Sequence, residues 1–181
     1  MITGRPDQTE SAEVVPHGSL QIETAFVREL NKIGEVSYVD YAFNSTLLRY
    51  GLLKPLELRL GIEYLGERVD YSLDEPMTIS GLGGLFPGVK YKILDEDGPK
   101  PGIAVLTNQV FPFTADDRYK TDHTATGLRL ALSQSLSDKL TCGYNLGAEW
   151  DGNSDAVAWF YSVSMGFNRQ INSVCLLNRM A

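Results

Sequence analysis

Nine charged side chains recur at a spacing that lets them act together: Glu23, Arg49, Glu57, Arg59, Glu63, Lys90, Lys92, Arg129 and Glu149. Each takes the polar phase of an alternating segment, so all nine fall on one face if those segments are strands. Opposite charges gathered on one face do one of two things. They pair across neighbouring strands and fill the space between them, or they line a hydrated passage and select what diffuses through it. A second polar set, Arg5, Asp7, Thr9 and Glu10, precedes the first alternating segment. It is placed either to fold against those charges as a small polar plug or to hang free as a polar terminus.

Other combinations carry less. Asp151-Gly152-Asn153-Ser154-Asp155 spaces three oxygen ligands as a calcium loop begins, but Ala156 stands where the loop needs Gly and Ser162 where it needs a bidentate Glu. It reads as a hairpin tip, and Asp74, Glu75, Asp116, Asp117, Asp151 and Asp155 as a solvated acidic rim. Gly81-Leu82-Gly83-Gly84 is followed by no Gly-Lys-Ser/Thr and opens no helix, so it relieves crowding in a curved sheet and does not hold phosphate. His17 and His123 have no ligand-spaced neighbours, no Gly-x-Ser-x-Gly elbow occurs, and Cys142 and Cys175 read as small hydrophobes. No catalytic residue, metal site or cofactor is expected, and the chain does not read as an enzyme.

The elements that must position the nine charges follow a period of two. Leu56, Leu58, Leu60, Ile62 and Tyr64 alternate with Glu57, Arg59, Gly61 and Glu63, which a strand sorts onto two faces and a helix scatters. The same alternation marks residues 20–26, 128–133, 140–150 and 157–166, and more weakly 40–50, 79–93, 102–113 and 171–178. Short connections at 51–55, 95–100, 137–139 and 168–170 alternate with longer ones at 29–39, 67–78, 114–123 and 151–155. Short and long turns therefore fall at opposite ends of one up-and-down sheet. The strands are expected to run about 10 to 13 residues, against the roughly 9–11 that cross a bilayer. Tyr50, Tyr91 and Phe167 stand by the short turns, and Phe111, Phe113, Trp150, Trp159 and Tyr161 by the long ones, the places of interfacial aromatic girdles.

Composition narrows the function. In 181 residues, 23 Asp and Glu outnumber 16 Lys and Arg, which argues against nucleic acid as a partner. No stretch approaches the roughly 18 apolar residues of a membrane helix, and Met1–Asp7 lacks the basic and apolar regions of a signal peptide. The expected fold is all-β: an antiparallel, up-and-down transmembrane β-barrel of about 8–9 strands. A polar segment, residues 1–18 (periplasmic or luminal), precedes a barrel domain, residues 19–181. Period two does not say which face is inside, so a soluble β-barrel or sandwich binding a small hydrophobic ligand in an apolar core stays open.

Arg5-Pro6-Asp7-Gln8-Thr9-Glu10-Ser11, with Val15-Pro16 and Gly18-Ser19-Leu20-Gln21-Ile22-Glu23, resembles the opening of the bacterial MetA-pathway of phenol degradation family. Thr46–Leu52, Glu57–Gly61, Gly88–Lys92 and Leu136–Leu140 are similar to it as well, so the resemblance covers roughly residues 3–167. It implies an outer-membrane barrel of the Gram-negative envelope, with outer-membrane lipid as a partner and a porin-like transporter role for small molecules, aromatic ones included. Three departures stand out: no signal peptide, Gly4 in place of the usual Asp before Arg-Pro, and a poorly alternating end from Arg169 to Ala181. The resemblance therefore implies a barrel incomplete at its C-terminal side.

Overall fold

The computed structural model describes residues 9–33, 36–70 and 77–167. Among them lie eight strands: β1 (Leu20–Ile33), β2 (Val36–Leu53), β3 (Leu56–Asp70), β4 (Met77–Leu94), β5 (Gly102–Val110), β6 (Ala125–Ser137), β7 (Leu140–Trp150) and β8 (Ala158–Phe167). They form one sheet in the order β1 to β8, every neighbouring pair antiparallel, which is the up-and-down meander that the alternation predicts. A single 3-10 turn, Pro112–Thr114, interrupts the loop after β5. The expected strand at 171–178 lies outside the described residues, as do Arg5, Asp7, Asp74, Glu75 and Cys175.

The first four strands are longer than the sequence suggests, at 14, 18, 15 and 18 residues. Residues 29–33 and 36–39, expected to be a long connection, continue the β1–β2 ladder through Glu29↔Asp40 and Leu30↔Val39. Residues 67–70 do the same against β4 or β2, through Glu67↔Ile79 and Ser37↔Asp70. Charged residues on both strands of a ladder hide its continuation, because they suppress the apolar phase while the backbone keeps pairing. At the other end the turns are tight: Lys54-Pro55 joins β2 to β3 and Asp138-Lys139 joins β6 to β7.

Bulges let the sheet bend. Register shifts occur at Ala25/Val27, Ala42/Asn44 and Glu63/Tyr64, the last opposite Gly84, whose φ of 107° suits only glycine. The ladder between β4 and β5 stops at Gly88↔Asn108, one residue from Pro87, whose ring nitrogen has no hydrogen to donate. Above that point the loop after β5 takes over: Leu82 N donates to Asp116 Oδ2 (2.6 Å), Asp116 N donates to Leu82 O (2.9 Å) and Leu85 N donates to Thr114 Oγ1 (3.0 Å).

The two faces are inverted relative to a water-soluble core. Leu20, Ile22, Leu30, Leu146, Trp159, Tyr161, Val163 and Phe167 are exposed, whereas Glu23, Ser45, Arg49, Glu57, Lys90 and Asn145 are buried. Glu57 and Lys90 have no exposed surface at all. Large apolar side chains belong inside a soluble protein and charges outside it. Here the charged face is the enclosed one, so the sheet does not wrap an apolar core.

Candidate functional site

The enclosed charges form one network at the short-turn end. Arg49 on β2 donates through Nε to Glu57 Oε1 (2.7 Å), through Nη2 to Glu57 Oε2 (3.0 Å) and through Nη1 to Glu23 Oε1 (2.9 Å). Glu23 is on β1 and Glu57 on β3, so this guanidinium ties three adjacent strands together in the fork geometry that suits carboxylates. Arg59, two residues along β3, lies 3.7 Å from Glu57 Oε1 through Nε. Charges buried this deeply stay ionised only when opposite partners offset the lost hydration.

The missing partner comes from the N-terminal segment. Glu10 accepts from Arg59 Nη2 at 2.6 Å through Oε1, and its Oε2 lies 3.6 Å from Lys90 Nζ on β4. Burial raises the Glu10 pKa, but Arg59, Lys90 and Arg49 outweigh it and bring the carboxyl down to about 2. Its backbone is held on the other side of the sheet: Glu10 N donates to Asn145 Oδ1 (2.6 Å) and Asn145 Nδ2 donates to Glu10 O (2.8 Å). Asn145 is on β7, four strands from β3. In a flat sheet those strands would stand about 19 Å apart, which one glutamate does not span. The sheet is therefore strongly curled, with the polar face concave.

Residues 9–18 cross this concave face. Thr9 Oγ1 donates to Ser162 Oγ on β8 (2.9 Å), Ala12 N to Ser133 Oγ on β6 (3.2 Å) and Val15 N to Glu57 Oε2 (2.8 Å). Glu13 pairs with Lys92 (2.9 Å), which also holds Asp95 (2.6 Å). The segment joins the sheet at Gly51, through Gly18 N to Gly51 O (2.8 Å) and Gly51 N to Ser19 O (3.0 Å). A Cβ at Gly51 would run into the carbonyl oxygens of Val15 and Pro16, so glycine is what lets the two backbones approach.

Toward the long loops the concave face opens. A cavity of about 480 Å³ is lined by Glu10, Leu47, Arg59, Glu63, Phe86, Gly88, Leu106, Thr107, Asn108, Arg129 and Glu149. Of the plugging segment, Glu10 is the residue that lines it. Glu63 accepts from Ser45 Oγ (2.5 Å), while Arg129 and Glu149 face each other loosely at 3.8 Å. Two rings lie on the inner wall where glycine makes room, Phe86 over Gly61 and Phe160 over Gly147. The Arg129 guanidinium sits 4.6 Å above the Phe160 ring.

All nine charges singled out from the sequence thus lie on the concave face. Glu23, Arg49, Glu57, Arg59 and Lys90 meet in one network, Lys92 stands at its short-turn edge, and Glu63, Arg129 and Glu149 border the cavity. Of the N-terminal set, Thr9 and Glu10 reach these strands; Arg5 and Asp7 lie outside the described residues. Asn145, Ser133 and Ser162, which hold the segment, escaped sequence reasoning although they take the polar phase of their strands. Phe86 and Phe160 also occupy that phase, each directly across the ladder from a glycine, and that pairing was the available signal.

The remaining candidates stay apart. His17 donates through Nδ1 to Leu52 O (2.9 Å) at the short-turn end, whereas the His123 backbone bonds Gly152 O (2.8 Å) among the long loops. Asp151 Oδ1 accepts from the backbone N–H of Asn153 and Ser154 (2.8 and 2.9 Å), the signature of a turn. Those bonds hold its carboxyl below the ordinary range. Cys142 is buried between neighbours on the apolar face.

No curated protein and no solved structure matches the chain. The family described as the MetA-pathway of phenol degradation matches residues 3–172, nearly the whole sequence, and the chain belongs to that family.

Proposed function

We propose that this chain builds a β-barrel of the bacterial outer membrane that passes small molecules, aromatic ones included, through its polar interior. The observation that carries the reading is the inversion of the two faces: Glu57, Lys90 and Arg49 are enclosed while Leu20, Leu146, Tyr161 and Phe167 stand outward. A hydrocarbon surround accounts for that arrangement and water does not. Every strand, from the 9 residues of β5 to the 18 of β2 and β4, meets the roughly 9–11 residues a tilted strand needs to cross a bilayer. Trp150, Trp159 and Tyr161 near the long loops and Tyr50, Tyr91 and Phe167 near the short turns supply two interfacial girdles. In this reading the partners are outer-membrane lipid and a small permeant, and the protein catalyses no reaction.

Refolding with and without detergent tests it. The expected result is a β circular-dichroism spectrum only in detergent, with a gel band whose mobility changes on boiling. A monodisperse β protein in plain buffer rejects the membrane reading. Leu60→Arg sharpens the test, since an arginine on the lipid face near the midplane costs about 2–4 kcal/mol. Its urea midpoint in detergent should fall accordingly.

A further inference from the structure

The charges of the concave face do not balance without the N-terminal segment. The nine strand charges of this face are five cations, Arg49, Arg59, Lys90, Lys92 and Arg129, against four carboxylates, Glu23, Glu57, Glu63 and Glu149. Glu10 brings a fifth carboxylate to Arg59 and Lys90, and it comes from a segment that crosses the strands instead of joining their ladder. Its two oxygens face one cation each, Arg59 at 2.6 Å and Lys90 at 3.6 Å. That single carboxylate leaves donors unused: Arg59 Nη1 and Lys90 Nζ are both buried and have no hydrogen-bond partner among the described residues. Buried donors of this kind are costly to leave unmade.

Glu10 and Arg59 also line the cavity that opens toward the long loops, so the pair is reached from that side. Beside them stand Leu47, Phe86 and Leu106, an apolar wall next to a cationic floor. This is what an organic anion with one charged end and a small apolar or aromatic body would need. We propose that Arg59 and Lys90 form a carboxylate-binding site in the passage, that Glu10 is its built-in occupant, and that a small monocarboxylate entering from the cavity takes the place of Glu10. The inference rests on the proposed passage for its route but not for its chemistry.

The occupant lowers the apparent affinity of any competitor by the fraction of time it leaves the site free. Benzoate and its neutral isostere benzamide are the probes, titrated by calorimetry into the full refolded chain. Glu10→Gln keeps the shape of the occupant and removes its charge. This variant should bind benzoate about tenfold more tightly than the unaltered protein, and benzamide should bind neither. Lys90→Met should remove the benzoate heat from both backgrounds. Because Lys90→Met is also liable not to fold, the comparison of Glu10→Gln with the unaltered chain decides alone. A second readout follows displacement directly. With Cys142 and Cys175 changed to serine, Ala12→Cys should react with a maleimide faster when benzoate is present.

Equal benzoate affinity with and without the Glu10 charge overturns the proposal. So does benzamide binding as well as benzoate, or a labelling rate that benzoate leaves unchanged. A chain that folds only in buffer would reject the membrane reading, and the same titration on that chain would still decide the carboxylate site.

Discussion

The concave face has two halves that use the same residue types to opposite ends. Near the short turns, Glu23, Arg49, Glu57, Arg59, Lys90 and Glu10 are packed into a network of bonds between 2.6 and 3.7 Å with almost no exposed surface. Near the long loops, Arg129 and Glu149 stand 3.8 Å apart at the border of an open cavity, with the Glu149 side chain 55 % exposed. The difference is supplied by residues 9–18, which occupy one half and end below the other. A charged face is therefore not in itself a passage or a seal; what lies across it decides which.

The sharpest way to break the sealed half is to remove its central acceptor. Glu57 serves Arg49 twice, stands beside Arg59 and receives the Val15 N–H. Deleting one partner of a buried ion pair leaves the others uncompensated, at about 3–5 kcal/mol. Glu57→Ala should lower the urea midpoint of the folded band more than any other substitution considered, and a midpoint within error of the parent would contradict the network. Acid should reach the same half more gently through Glu10. Its carboxyl is depressed from 4.5 to about 2, so the stabilisation from its charge is complete above pH 4.5 and is lost as pH falls toward 2. Protease cleavage of the segment should be constant from pH 7 to 5 in an acid-tolerant protease series and rise below 4.5. Glu10→Gln should abolish that dependence.

Gly51→Ala aims at the seal without touching a charge. The added methyl meets the Val15 and Pro16 carbonyls, a backbone collision that costs about 1–3 kcal/mol if the chain stays docked. The segment should leave instead, giving faster cleavage near residue 12 while the folded gel band persists. Loss of the band altogether would mean that the segment and the sheet fold as one unit.

How far the sequence shows this contrast depends on which interactions are local. The strand phases of 56–64 and 140–150 are legible because alternation is written into consecutive residues, and with them the face of all nine charges. The ends of β1 to β4 are not, because Glu29, Asp40, Glu67 and Arg68 interrupt the apolar phase while their backbones stay paired. The plugging contacts are the least legible. Glu10 meets Asn145 across 135 residues of sequence and Arg59 across 49, and only the curl of the sheet brings those strands to one place. A polar run before the first strand is compatible with a plug or with a tail; the choice is made by Ser133, Asn145 and Ser162, side chains with nothing individual in their sequence context.

The smallest effect on stability should carry the most information about the open half. Glu149→Gln removes a charge that is more than half exposed and whose partner, Arg129, is also held against the Phe160 ring. Exposed pairs at such distances contribute about 0–1 kcal/mol, so the urea midpoint should barely move. In a planar bilayer, however, the reversal potential under a salt gradient should shift toward anion preference, since the border of the cavity then carries one negative charge fewer. The same readout distinguishes the halves when the segment is released: Gly51→Ala should raise conductance, because residues 9–18 no longer cross the concave face, whereas Glu149→Gln should alter selectivity at unchanged conductance. If Glu149→Gln leaves selectivity untouched in a conducting protein, the charges bordering the cavity do not face the ion path, and the contrast between the two halves does not govern what passes.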